Sequence, residues 1–125
     1  MKKFTEENEV RMALVPDADA FAGTKYTDVF GLTHYGHITF VVQIGTVTSS
    51  GKTTITVEKC TAKAGTGNTA MAFAYRTGLK TGALGAFAAA TTSGISSSTT
   101  SNAVHIIEID AAELGDGYDY VRLKM

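Results

Sequence analysis

Three histidines are the residues best suited to bind a metal ion. Imidazole nitrogens are common zinc ligands and three protein ligands suffice for a catalytic zinc site, so His34, His37 and His105 together could form one. Against this, the offset between His34 and His37 is odd, so within one strand the two side chains would point to opposite faces. We therefore expect packed or solvent-facing histidines, with no metal and no cofactor.

The densest acidic cluster lies near the C-terminus and could serve acid–base chemistry or bind calcium. Its members are Asp110, Glu113, Asp116 and Asp119. A structural account is available, because an aspartate followed three positions later by a glutamate is typical of a helix N-terminal capping box. Asp116 also precedes a glycine, as in many turns. We predict a short helical turn here, with a structural cation as the weaker alternative.

Two glycine-rich segments resemble nucleotide-binding loops without matching them. Residues 45–53 end in Gly-Lys-Thr, but one residue too many separates Gly45 from Gly51, and a strand pattern follows where the phosphate loop requires a helix. The segment Gly65-Thr66-Gly67 lacks the third glycine of the dinucleotide motif. We interpret the first segment as a hairpin turn and the second as a loop.

Nucleophilic catalysis finds no clear candidate. Cys60 is the one cysteine, so it can form no disulfide within the chain, and no base is recognisable beside it in the sequence. No serine lies in the Gly-x-Ser-x-Gly setting of the hydrolase nucleophile. We predict that the protein is not an enzyme.

The charge balance argues against two classes of partner. The 125 residues carry 11 Lys and Arg against 12 Asp and Glu, a formal net charge of -1. Nucleic-acid binders gain affinity mainly from basic groups that contact phosphates, so no nucleic-acid partner is expected. The longest apolar run, residues 83–90, is too short to cross a bilayer, so no membrane partner is expected either.

Hydrophobic residues at period two predict an all-β fold, a β-sandwich or jelly-roll. In residues 36–44 one row holds Ile38, Phe40, Val42 and Ile44, while the alternate row is mostly polar. Further strands are predicted at residues 53–60, 71–76, 84–91, 103–110 and 118–125, with a short Ala-rich helix as the alternative for residues 84–91. A hairpin with its turn at residues 49–52 is expected to join the first two strands, and loops are expected at residues 77–85 and 93–102.

The first thirty residues follow a less regular pattern than the rest. Residues 10–15 are compatible with a strand that ends before Pro16, and residues 17–22 with one helical turn. We predict that residues 1–125 form a single β domain. The alternative for residues 1–30 is an N-terminal arm that becomes ordered only against a partner.

A series of segments resembles the small virion structural proteins of tailed bacteriophages. The resemblance covers residues 33–123, and the order of the segments is more specific than any one of them. The segments are YGHITFVVQIG at 35–45, TVEKCTA at 56–62, GTG at 65–67, MAFAYR at 71–76, IIEIDAAEL at 106–114 and GYDYVRL at 117–123.

The resemblance is strongest to head decoration proteins, and it implies a function for the chain. It implies a protein made in the host cytoplasm that sits on the outer surface of the phage head, binds the major capsid protein and stabilises the shell by bridging its subunits. It also implies a homo-oligomer, with a trimer favoured. We predict contacts through Val10, Met12 and Leu14 of the N-terminal segment and through Ser96 and Thr99 of the loop at residues 93–102.

Two alternatives stay open. The first is a structural protein of the phage neck, tail or fibre, which copy number per particle would distinguish from a head protein. The second is a carbohydrate-binding β-sandwich that uses Tyr75, Tyr118 or Tyr120 as stacking platforms.

Overall fold

Two antiparallel sheets pack face to face in the computed structural model, which describes residues 1–18, 22–47, 53–97 and 101–125. The predicted all-β class is confirmed, and the architecture is a β-sandwich. The strands are β1 (Phe30–Gly31), β2 (His37–Ile44), β3 (Thr54–Cys60), β4 (Thr69–Met71), β5 (Phe73–Leu79), β6 (Ala88–Ala90), β7 (Ile95–Ser96), β8 (Ala103–Asp110) and β9 (Tyr120–Lys124). Two single-turn helices accompany them, α1 (Phe4–Glu7) and a 3-10 helix (Ala111–Leu114).

Each sheet is named here after a central strand. The β3 sheet has the order β1-β9-β3-β4, and β7 also pairs with β3. The β8 sheet has the order β2-β8-β5-β6. All strand pairs are antiparallel, so neighbouring side chains on one face lie directly opposite each other across the strands.

The core lies between the sheets and is built from the alternating apolar rows. Ile55 and Val57 of β3 are fully buried, as are Ile107 and Ile109 of β8. Phe40 of β2 joins the same cluster. The row of β2 that was predicted to be buried is therefore the inner one, and its polar row faces outward.

The predicted hairpin between residues 36–44 and 53–60 is wrong. β2 pairs with β8 over its whole length, whereas β3 pairs with β4, β7 and β9 in the other sheet. Residues 49–52, where the turn was predicted, lie outside the described residues. Alternation identified both strands correctly, but it carries no information about which strand lies beside which.

The predicted strand at residues 71–76 is two strands in two sheets. Met71 ends β4 in the β3 sheet, and Phe73 begins β5 in the β8 sheet, so the chain crosses between the sheets at Ala72. Met71 and Phe73 are both buried, because the crossing keeps each side chain in the shared core. β5 extends to Leu79, so the loop predicted at residues 77–85 begins later than expected.

Two other predicted segments differ in extent. Within residues 84–91 only Ala88–Ala90 forms a strand. Residues 93–102 are not entirely loop, because β7 pairs with Thr54 and Ile55 of β3. A side chain at Gly94 would collide with the Ile55 carbonyl, since its Cβ would lie 2.2 Å from that oxygen, and Gly94 also has a φ of +75. This glycine allows the segment to approach the sheet.

The C-terminal prediction is confirmed. The backbone N–H of Asp110 donates to Glu113 Oε2 at 2.7 Å, the 3-10 helix follows, and Gly115 ends it with a φ of 78. Leu114 is buried, so this turn closes one end of the core. β9 then places Val121 and Leu123 inside.

The N-terminal region differs from its prediction. Residues 10–15 form no strand, and among the described residues ahead of β1 the one helix or strand is α1. The helical turn predicted at residues 17–22 lies partly outside the described residues. Further along, Tyr26 forms an isolated bridge with Lys124, and this places the chain beside β9 ahead of β1. No helix among the described residues is long and apolar enough to span a membrane.

Candidate interaction surfaces

The N-terminal arm, defined here as residues 1–18, presents apolar side chains to solvent. Val10 and Met12 are 67% and 70% exposed, and Leu14 is 36% exposed. Phe4 and Val15 are exposed to a similar degree as Val10. None of the buried core residues comes from the arm. The three predicted contact residues of this segment therefore lie together on one exposed stretch that the core does not need.

Polar contacts hold the arm against one edge of the sandwich. The Tyr35 hydroxyl donates to the Glu9 carboxylate, which also pairs with Arg11. The backbone N–H of Asp28 donates to the Ala13 carbonyl at 2.9 Å. The hydrogen bond from Tyr35 lowers the pKa of Glu9, and the same contact raises the pKa of Tyr35. The side-chain contacts of Glu9 are exposed, so they contribute little to the free energy that holds the arm in place.

The second predicted contact element is tied into the β3 sheet. Ser96 lies in β7, opposite Thr54, with an exposed side chain. The next residue, Ser97, is buried: its backbone N–H donates to the Thr53 carbonyl at 2.9 Å, and its hydroxyl accepts from the Thr53 N–H at 2.9 Å. Thr99 lies outside the described residues. Ser96 is thus held in place by the pairing of its segment with β3 and by the hydrogen bonds of Ser97 to Thr53.

An exposed apolar strip crosses the outer face of the β8 sheet and was not predicted. Val41 of β2 lies opposite Ile106 of β8 and is 66% exposed. Leu84, in the loop after β5, and Val104 of β8 both lie close to Gly78: a Cβ on Gly78 would be 3.1 Å from each side chain. A cavity of ≈ 540 Å³ opens beside Leu84. The sequence signal was Val41, the one apolar member of the polar row of β2.

Apolar side chains occupy both faces of β8, but only one face is fully buried. The row with His105, Ile107 and Ile109 is buried. Val104 and Ile106 are half-buried, because the outer face of the sheet has no second layer in the part of the chain that the structure describes. A strand central to its sheet is flanked on both sides, but its outer face is still open.

An ion cluster on the outer face of the β3 sheet is internally satisfied. Glu58 is buried, and Arg122 lies directly across from it on β9, donating through Nε at 2.9 Å and Nη2 at 2.7 Å to one carboxylate oxygen. The Lys124 ammonium is 3.7 Å from the other oxygen. The Tyr26 ring covers the Arg122 guanidinium at 4.1 Å. These contacts hold Tyr26 against the sheet, and both carboxylate oxygens of Glu58 have a basic partner.

The histidines do not meet. His37 lies on the outer face of the β8 sheet, with Nδ1 2.7 Å from Asp110 Oδ1, whereas His105 points into the core with Nδ1 2.9 Å from Thr77 Oγ1. Burial lowers the pKa of His105, and its Nε2 is buried without a hydrogen-bond partner. Among the described residues no three His, Cys, Asp or Glu side chains are grouped to hold a metal ion.

The remaining candidates serve packing. Cys60 is fully buried, and burial raises the pKa of its thiol. Tyr75 packs between Phe73 and His105. Lys59 covers the ring of Tyr118 at 4.3 Å.

Tyr120, the last of the three proposed sugar platforms, is half-buried against Gly31. All three tyrosines are half-buried with neighbours against their rings. The carbohydrate-binding alternative gains no support from them.

No family model matches the chain, and neither the curated proteins nor the solved structures gave a significant match.

Proposed function

We propose that this chain is a head decoration protein of a tailed bacteriophage, which binds the assembled capsid and stabilises it by bridging capsid subunits. The proposal rests on the resemblance of residues 33–123 together with one structural observation. That observation is the N-terminal arm, whose apolar side chains lie outside a core that is complete without them.

Exposed apolar side chains on an arm outside the core suit a partner surface. Burying a Val or Met side chain contributes roughly 1.5–3 kcal/mol, so covering Val10 and Met12 would provide a useful part of a binding free energy. The arm's contact of Tyr35 with Glu9 is exposed and can be exchanged for contacts with the major capsid protein. Ser96, held by β7, supplies a second and more rigid contact.

Bridging follows from having two contact elements on one body. The arm reaches one capsid subunit while the β7 region reaches another, so the second contact forms at a high effective concentration. Several weak contacts then bind the protein tightly to the capsid. Neighbouring capsid subunits could separate only if these contacts broke at the same time. An oligomer of the protein extends the same effect across more subunits.

The arm is tested by binding to phage particles assembled without this protein. We compare the full chain, a chain lacking residues 1–15, and a Val10→Ser/Met12→Ser variant. The control is Leu79→Ser, which removes an exposed aliphatic side chain from the sandwich. We expect reduced occupancy for both arm variants and normal occupancy for the control, with urea unfolding midpoints unchanged in the arm variants.

Three results would count against the proposal. Equal occupancy of all four proteins would remove the arm from the binding site. Quantitative mass spectrometry of purified particles tests the location separately: hundreds of copies per particle are expected for a head decoration protein. About a dozen copies would assign the protein to the neck or tail, and its absence from particles would reject a virion role.

A further inference from the structure

The long edge of the β8 sheet is open. β2 spans eight residues, His37–Ile44, and within the described part of the chain it pairs with β8 alone. The other edge strands, β1, β4 and β6, are two or three residues long. One side of the β2 backbone thus offers a row of N–H and C=O groups that no described strand occupies.

This edge carries none of the usual protection against pairing. Natural edge strands are blocked by lysines, prolines or bulges. β2 contains no Lys, Arg, Asp, Glu or Pro, and its register with β8 runs without interruption from His37–Asp110 to Ile44–Ala103. Its inner residues Ile38 and Val42 are only half-buried, so a further strand would complete the cover of the core at this edge.

We infer that β2 of a second copy of this chain pairs antiparallel with β2 and joins two β8 sheets into one continuous sheet. Residues directly opposite each other in an antiparallel pair have side chains on the same face of the sheet. The two-fold axis must therefore lie between the two copies of one and the same residue. When the axis lies at Val41, large apolar side chains face each other and Thr39 faces Gln43. The resulting pairs are Val41 with Val41, Thr39 with Gln43, Phe40 with Val42, Ile38 with Ile44 and His37 with Gly45.

The same register explains why the partner is a copy of the chain. On the inner row, apolar side chains face apolar side chains. Because β2 contains no Asp, Glu, Lys or Arg, no pair of like charges from these residues is created. Centring on Phe40 instead would oppose Thr39 with Val41 and His37 with Gln43, which leaves the apolar Val41 against a polar side chain. The contact is isologous and closes as a dimer, unlike the trimer that the resemblance implies. It does not depend on capsid binding.

The first test is sedimentation equilibrium of the full chain and of two lysine variants. Val41→Lys places two ammonium groups on the axis while changing a side chain that is exposed in the monomer. Ala89→Lys, on the opposite edge strand β6, is the matched control. We expect a dimer for the full chain and the control, and a dissociation constant raised about tenfold or more for Val41→Lys.

The second test fixes the register. In Val41→Cys the two thiols would face each other across the axis, within the span of a disulfide, while native Cys60 is buried. Oxidation should yield a covalent dimer with Val41→Cys and much less with Ala89→Cys. A monomer or trimer in sedimentation, equal crosslinking of both cysteines, or a dimer lost on deleting residues 1–15 but kept in Val41→Lys would overturn the inference.

Discussion

Replacing Phe40 by alanine measures how far the alternation of β2 governs burial. The Phe40 side chain is 5% exposed and its ring packs edge-on against Phe30 at a centroid distance of 5.9 Å. Removing a buried phenylalanine costs about 3–5 kcal/mol through lost transfer free energy and the cavity left behind. The contact with Phe30 lies across the two sheets, so little collapse can refill the space, and we expect the upper half of that range.

The matched control removes the same side chain from the surface. Phe87 is 59% exposed and contacts the Arg76 guanidinium at 5.1 Å, so Phe87→Ala should cost less than about 1 kcal/mol. Urea denaturation followed by circular dichroism gives both values, with the slope of the transition compared between variants. A loss below about 1 kcal/mol for Phe40→Ala, or equal losses for the two variants, would show that the inner row of β2 has been misassigned.

Two further predictions concern buried ionisable groups. Burial lowers the pKa of His105 below its ordinary 6.5, so on acidification the unfolded chain takes up the proton first. The free energy of unfolding is therefore unaffected by this group above about pH 6.5. It falls as the pH drops below that value, by at most about 1.4 kcal/mol per pH unit. Urea midpoints at pH 5 and pH 7.5 should show this loss shrinking in His105→Leu but not in His34→Gln; an unchanged loss in His105→Leu would be contrary evidence. Glu58→Ala should cost about 3 kcal/mol by leaving the Arg122 guanidinium without its carboxylate, and Glu58→Leu/Arg122→Leu should recover most of it. Equal unfolding free energies for wild type and Glu58→Ala would mean that water replaces the carboxylate.

Much of the secondary structure could be read from local patterns. The alternation in β2, β3 and β9 reports which side chains face the core, and the Asp110–Glu113 spacing reports a helix start. Each pattern spans only a few residues, so the chain carries it wherever the segment is placed. Residues 10–15 show the limit of such patterns: Val10, Met12 and Leu14 alternate as in a strand, yet they form none and stay exposed.

Partnership between strands could not be read in this way. β2 and β3 follow each other in the chain with a plausible turn between them, yet they belong to different sheets. β8, about sixty residues further on, is the partner of β2. Several strands of this chain have similar apolar rows, so any two of them could pair as far as their local pattern is concerned. Which strands pair depends on how the two sheets together bury one core.

The amino-acid sequence by itself determined where the long strands β2, β3, β8 and β9 lie and which row of β2 turns inward, because side-chain alternation is a local property of an extended backbone. Only the tertiary structure decided which strands became neighbours, since pairing depends on contacts between distant segments. It thereby decided that β2 ends as an edge, with Val41 on an open face. The edge on which the proposed dimer rests is a product of that long-range choice.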